Sequence, residues 1–203
     1  RCQSANSITS RLDDGQHVIL ATGCGEIHPA LPGATLLHQG TDADVLVAYP
    51  VTAEVLNRFF QSMRPRKGPC ALGARARLGI GTRMSAAVWP GVWPAMTRGG
   101  FAANAIQNSL RELNLLEDLV AGLPARSNYM FGFGRLDEGH TGSTFEGLWL
   151  AGVLDALKSD FEPVYGADAD HIMVKRAADG LARAKRVIDA ARFYTFYTLD
   201  VSD

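Results

Sequence analysis

The stretch YGADADHIMVKR, Tyr165 to Arg176, sets two carboxylates (Asp168, Asp170), an imidazole (His171) and two cations (Lys175, Arg176) among alanines and one glycine. An apolar lead-in, Phe161 to Tyr165, reads as the end of a strand, and a helical pattern runs over Ala177 to Ala191. Polar residues held at the C-terminal end of a strand, ahead of a helix, are where parallel α/β proteins keep their chemistry. The alanines leave room for a ligand, and Gly166 permits close backbone approach. The same residues also read as a solvated loop in which Asp170 caps the helix. Asp168 and Asp170 share the two-residue period of a strand, which directs them to one face.

Moving outward, the order strand, loop, helix repeats from Ala71 onward. Strands are expected at Ala71–Arg77, Phe101–Ile106, Phe161–Tyr165 and Tyr194–Leu199, with helices over Leu110–Val120 and Thr144–Lys158. Met84 to Arg98 is apolar but interrupted by Pro90 and Pro94, so a helix there is expected to be short or kinked. This alternation predicts parallel strands with helical crossovers. A partial (β/α) TIM-like barrel satisfies it, as does an open doubly wound sheet. Residues 1–70 form a small N-terminal α/β subdomain in this reading. His17–Thr22 and Asp44–Pro50 are its strands, and Thr52–Met63 is a helix capped by Thr52. Arg64 to Pro69 (RPRKGP) is the linker, and 71–203 is the first part of the barrel. The chain begins without Met and stops after an apolar run, which reads as a piece of a longer protein.

The composition narrows the function classes. The 203 residues carry a net charge of −1, so neither a nucleic-acid surface nor an anionic-membrane surface is implied. No apolar run approaches the roughly 20 residues of a transmembrane helix. Three scattered cysteines, Cys2, Cys24 and Cys70, form no CxxC pair and fit a reducing, cytoplasmic setting. The Gly-rich RLGIGT segment lacks both the Walker ending and the dinucleotide spacing. Gly139–Thr144 (GHTGST) precedes a helix, whose N-terminus is a place for an anion; the segment reads equally as a mobile surface loop with His140 exposed. Glu26 and His28 are close in sequence but read as loop surface.

The expected strand ends supply a convergent polar set: Arg77 and Thr82; Gln107, Asn108, Ser109, Arg111 and Glu112; Asp168, Asp170, His171 and Lys175; Thr198, Asp200 and Ser202. In a barrel these meet on one face. Taken singly they have plainer roles, such as Ser109 and Glu112 forming a capping box.

Five ordered segments resemble the tagaturonate epimerase family of bacterial hexuronate catabolism. They are RLGI (Arg77–Ile80), QxSxRE (Gln107, Ser109, Arg111, Glu112), TGxT (Thr141–Thr144), GADADH with Lys175 after it, and YTxYTLDxSD (Tyr194–Asp203). The chain departs from that pattern in a Gly-rich insertion around Ser127–Gly139 and in Val201, where a proline is commoner. The resemblance implies the N-terminal part of a metal-dependent barrel that interconverts tagaturonate and fructuronate. It also implies a divalent metal ion (Zn, Mn, Fe or similar), a small sugar-acid substrate, and inactivity of the piece by itself.

Tagaturonate and fructuronate differ at a carbon β to the ketone, where the C–H is not acidic. Retro-aldol cleavage and re-addition is a workable route, and it needs carboxylates as base and acid, donors on the enediolate, and groups that hold the substrate carboxylate. On this reading Glu112, Asp170 and Asp200 are the acid/base candidates. Arg77, Gln107, Ser109, Arg111, Lys175 and Thr198 are the substrate-binding candidates, and His171 is the metal ligand. A metal-dependent aldolase or sugar isomerase on the same barrel needs similar residues. A non-catalytic sugar-acid-binding module predicts binding without turnover.

Overall fold

The computed structural model describes residues 6–13, 17–24, 31–40, 44–82, 84–109, 143–176 and 178–201. The chain forms two compact units, Arg1–Pro65 and Arg66–Asp203.

The first unit is a four-stranded antiparallel sheet in the order β1-β2-β4-β3, built from β1 (Asn6–Arg11), β2 (His17–Cys24), β3 (Thr35–Gln39) and β4 (Asp44–Pro50). The two central strands are the Val/Ile/Leu-rich runs visible in the sequence. The flanking strands β1 and β3 are not legible there, because their residues are mostly polar or, in β3, exposed throughout. Helix α1 (Ala53–Ser62) begins at Thr52, whose hydroxyl accepts from the Val55 N–H. That bond satisfies one of the free donors of the first turn. Ala53, Val55, Leu56, Phe59 and Phe60 make up its buried face.

The second unit carries the parallel strands β5 (Arg77–Gly79), β6 (Ala102–Ser109), β7 (Tyr165–Met173) and β8 (Phe196–Asp200), in the spatial order β5-β6-β7-β8. A doubly wound sheet reverses direction at a switch point. These four strands never do, and the sheet is a curled half-barrel. Helices α2 (Ser85–Gly99), α3 (Phe145–Lys158) and α4 (Gly180–Ala190) pack against it. Trp89, Trp93, Trp149, Val153, Ile106, Ala167, Ala169 and Ile172 are buried in the core. Residues 66–70 belong to this unit: the Cys70 N–H donates to Tyr165 O (2.9 Å), and Lys67 Nζ donates to Ser159 O and Phe161 O. Among the described residues no helix is long and apolar enough to cross a membrane.

Three expectations are corrected. Residues 71–76 are not a strand; Gly73 adopts φ +55 and the Arg75 N–H closes a turn on Leu72 O, so β5 starts only at Arg77. Met84–Arg98 is not a short helix: α2 runs 15 residues through both prolines. Pro90 and Pro94 lie four apart on the side away from the buried Trp89, Trp93 and Met96. Indole burial and two indole hydrogen bonds, Trp89 Nε1 to Ala105 O (2.9 Å) and Trp93 Nε1 to Asp155 Oδ1 (2.7 Å), outweigh the lost backbone donors. Finally, GADADH is not a loop after a strand but the body of β7. Its Ala/Asp alternation is itself a strand period. The expected helix Leu110–Val120 lies outside the described residues.

Candidate functional site

The site lies on the concave face of the parallel sheet. Arg77 belongs to β5 and Phe196 to β8, the two outer strands, yet the Arg77 guanidinium carbon sits 4.6 Å from the Phe196 ring centroid. In a flat sheet those strands stand about 14 Å apart. Curling brings them toward each other, and the long Arg77 side chain spans the remainder. Its Nη1 donates to Gly73 O (2.8 Å) and Arg75 O (3.3 Å), which fixes the guanidinium over the face.

Two β-bulges decide which side chains meet there. Asn104 pairs with Gly166 and Ile106 with Ala167, so β6 holds one extra residue, at Ala105. Its carbonyl accepts the Trp89 indole N–H. Asn104 and Gln107, three apart, therefore share the concave face: the Asn104 amide lies against Gly166, and Gln107 lies beside Asp168. Ile106 turns the other way, against Gly152 of α3. The second bulge is in β7. Ala169 pairs with Tyr197 and Ile172 with Leu199, so Asp170 and His171 together face Thr198. A bulge adds a residue without breaking the strand and re-aims the side chains beyond it.

The centre of this face is Asp168. It is 6% exposed, and both of its oxygens are engaged. Thr198 Oγ1 donates to Oδ1 (3.2 Å), and Gln107 Nε2 donates to Oδ2 over a long 3.5 Å. Burial pushes the Asp168 carboxyl up to about 6, and the nearby Asp170 charge adds to that shift. The Thr198 hydroxyl, Arg77 and His171 pull in the opposite direction without cancelling it. A carboxyl that exchanges its proton near neutral pH suits general acid/base work. Behind it, Tyr194 is buried with its hydroxyl donating to Phe145 O (2.9 Å). Its proton is held more tightly than usual, by burial first and by the Asp168 charge second.

His171 has φ +52, the left-handed region, and no other described non-glycine residue shares a positive φ. Histidine tolerates that region better than β-branched residues do. Its backbone N–H donates to Asp170 Oδ1 (3.0 Å). Its Nε2 lies 3.6 Å from Asp170 Oδ2 and its Nδ1 3.7 Å from Asp200 Oδ2. The imidazole thus stands between carboxylates from two strands. As a place for a divalent ion this arrangement is incomplete. Among the described residues no group of three or more His, Cys, Asp or Glu side chains is placed to hold a metal. The two ring nitrogens face different carboxylates, so the three donors do not converge on one point.

Of the residues singled out in the sequence, Arg77, Gln107, Asp170, His171, Thr198 and Asp200 come together on this face. Ser109 is buried at the end of β6, in register opposite Asp170, and its N–H donates to Asn108 Oδ1. Lys175 lies beyond β7 and is exposed. Arg111 and Glu112, with Glu26, His28, His140 and Ser202, lie outside the described residues. The space attributed to the alanines is not a ligand cavity: Ala167 and Ala169 are fully buried. Gly166 makes room for the protein's own Asn104 amide, Thr195 hydroxyl and Cys70 carbonyl. Sequence reasoning underweighted Asp168, whose alternation with Ala167 and Ala169 marked it as an inward strand residue. It missed Phe196 and Asn104, whose place depends on curl and bulge.

The chain shares its fold with three crystal structures of the fructuronate-tagaturonate epimerase UxaE from Cohnella laeviribosi. The native structure matches at 20% identity and a TM-score of 0.51, over 98% of this chain and 32% of the other. A complex with one glycerol matches at 19% identity and 0.52, over 98% and 32%. A complex with two glycerols matches at 18% and 0.53, over 100% and 33%. The chain thus spans about a third of the length of those proteins. No protein-family model matches it, and no curated protein matches it.

Proposed function

We propose that this chain belongs to a sugar-acid epimerase that interconverts tagaturonate and fructuronate, with Asp168 as a proton-handling carboxyl. The observation that carries this reading is Asp168 itself. It is a buried carboxyl on the concave face, held by a hydroxyl and an amide, facing a cation on β5, with proton affinity near 6. The fold shared with solved epimerases supports the reaction class.

The substrate dictates the chemistry. The carboxyl group, as carboxylate, takes the proton from the hydroxyl on the carbon to be inverted. The bond between that carbon and its neighbour, itself α to the ketone, breaks. Its electron pair passes to the neighbour as an enediolate, leaving an aldehyde. The aldehyde turns its other face, the bond re-forms, and the new alkoxide recovers the proton from the carboxyl group. Nothing is oxidised or reduced overall, and one proton leaves and returns. Asp170, whose charge acts on Asp168, and Asp200, beside His171, are further carboxyls proposed for this proton traffic. Arg77 is the cation for the substrate carboxylate, with Gln107, Ser109 and Thr198 as polar neighbours of the sugar hydroxyls.

His171 is proposed as one nitrogen ligand of a divalent ion. The described residues do not complete such a site, so the proton steps above use only this chain's own groups. A cytoplasmic setting fits the scattered cysteines and the hexuronate substrate class. The test is incubation of the full-length protein with tagaturonate, monitored by NMR. Fructuronate formation supports the reading; cleavage products or a different ketose overturn it in favour of an aldolase or isomerase, and binding without turnover overturns it in favour of a binding module.

A further inference from the structure

We infer that Gly81 and Gln107 form a positioning pair for Asp168, in which the bare backbone at position 81 holds the Gln107 carboxamide against the carboxyl. This deepens the proposed function, since its catalytic meaning rests on Asp168 as the proton-handling group.

Gly81 lies in the Gly-rich turn after β5, the RLGIGT segment that fits no phosphate or dinucleotide motif. Its backbone is not left-handed, so backbone conformation does not require glycine there. The requirement is space. A Cβ at position 81 would land on the Gln107 Oε1 and crowd the rest of the carboxamide. The other end of the same carboxamide, Nε2, faces Asp168 Oδ2 at 3.5 Å. The amide is thus seated at one end by Gly81 and spent at the other on Asp168. The β6 bulge at Ala105 gives Gln107 this face, and β6–β7 register sets it opposite Asp168. A side chain at position 81 is tolerated only if the flexible Gln107 swings aside. That movement takes away the amide donor and leaves Thr198 as the remaining described donor to the carboxyl.

Removing a donor from an ionised carboxylate raises its proton affinity. The other charged groups that act on Asp168 are Asp170, His171 and Arg77, with the buried Tyr194 hydroxyl nearby; none is altered by these changes. The experiment is carboxyl-carbon NMR titration of Asp168 in this chain, with its resonance identified by its loss in Asp168→Asn. Gly81→Ala and Gln107→Ala are each expected to raise the midpoint by about 0.5 to 1 unit. The double variant is expected to match Gln107→Ala alone, because the three nearest atoms that a methyl group at position 81 would meet all belong to that carboxamide. The inference fails if Gly81→Ala lowers the melting temperature without moving the midpoint, or if the two changes add. Gln107→Asn, which shortens the arm in an unaltered loop, should shift the midpoint like Gln107→Ala; an unmoved midpoint there overturns the inference as well. Because no readout is turnover, failure here is distinct from failure of the epimerase reading.

Discussion

Arg77 and Phe196 meet across the concave face, cation over ring at 4.6 Å, although they belong to the first and last strands of the parallel sheet. The contact couples sheet curvature to the electrostatics of the site, because the same guanidinium draws down the proton affinity of Asp168. A partly exposed cation–ring contact is worth about 0.5–1 kcal/mol. Arg77→Met should therefore cost little stability. It should raise the Asp168 midpoint above about 6 and, in the full-length protein, raise KM for the sugar acid more than it lowers kcat. A fall in kcat with KM unchanged would show that Arg77 does not hold the substrate carboxylate.

Asp168→Asn isolates the proposed proton-handling role. Asparagine keeps the shape and its one oxygen can still accept from Thr198, but an NH2 replaces the oxygen that accepts from Gln107, and the side chain cannot take a proton. Turnover by the full-length protein should drop about 100-fold or more, the usual scale for a lost general acid/base. Normal turnover would remove Asp168 from the chemistry and leave Asp170 and Asp200 as the carboxyls to test.

The same substitution should change how stability depends on pH. The folded Asp168 carboxyl binds its proton more tightly than the unfolded one, about 6 against 3.8. Well below pH 3.8 both states are protonated and the wild type carries no penalty. As the pH rises from 3.8 toward about 6, the unfolded state ionises while the folded one keeps its proton, so the wild type loses stability relative to the variant, and the loss is complete above about 6. With solvent screening allowed for, the loss is about 1–2 kcal/mol. Urea denaturation at about pH 3 and pH 8 should show Asp168→Asn gaining on the wild type only at the higher pH. An equal difference at both values would contradict the burial effect.

The left-handed backbone at His171 governs how its proposed ligand role is tested. Alanine there would add roughly 1–2 kcal/mol of backbone strain and confuse loss of the ring with loss of the fold. His171→Asn removes the imidazole while tolerating φ +52. If His171 ligates a divalent ion, metal content of the purified full-length protein should fall in His171→Asn while the melting temperature holds. Unchanged metal content would rule the ligand role out.

Gly152 lies inside α3, where alanine ordinarily stabilises a helix by about 0.5–1 kcal/mol. Here the sign should reverse. A Cβ at that position would stand 2.6 Å from Ile106 Cδ1 and 3.0 Å from Trp89 Cζ2, forcing α3 off β6. Overpacking of this kind costs about 1–3 kcal/mol. Thermal denaturation should show Gly152→Ala destabilised, and less so beside Ile106→Val.

Residue patterns carried much of the second unit. The strand–helix alternation anticipated four parallel strands, and the polar set fell on neighbouring strands because strand order matches chain order. The ends of those strands were misplaced for a physical reason. Ala167 and Ala169 are as buried as any Val or Ile, but small size makes them read as loop. The length of α2 was hidden because local proline chemistry speaks louder in sequence than two distant indole hydrogen bonds. Asp168 was visible as a carboxylate; its shifted proton affinity was not, since burial belongs to the assembled sheet. Bulges leave no mark in composition, so the pairing of Asn104 and Gln107 on one face was unreadable.

The Ala105 bulge also sets a rule of parity on insertions and deletions in β6. Strand side chains alternate sides, so in a regular strand two residues three apart face opposite layers. The bulge absorbs that odd step for Asn104 and Gln107. Deleting Ala105 itself would leave the two amides two apart in a regular strand and still on one face. The Trp89 indole would lose its present acceptor, but the site's layer would survive. Deleting a residue elsewhere in the strand, with the bulge kept, exchanges the layers on one side of the cut and drives a polar side chain in among α2 and α3. Among homologues aligned by structure, the two amides should therefore stand three apart where the bulge is present and two apart where it is missing.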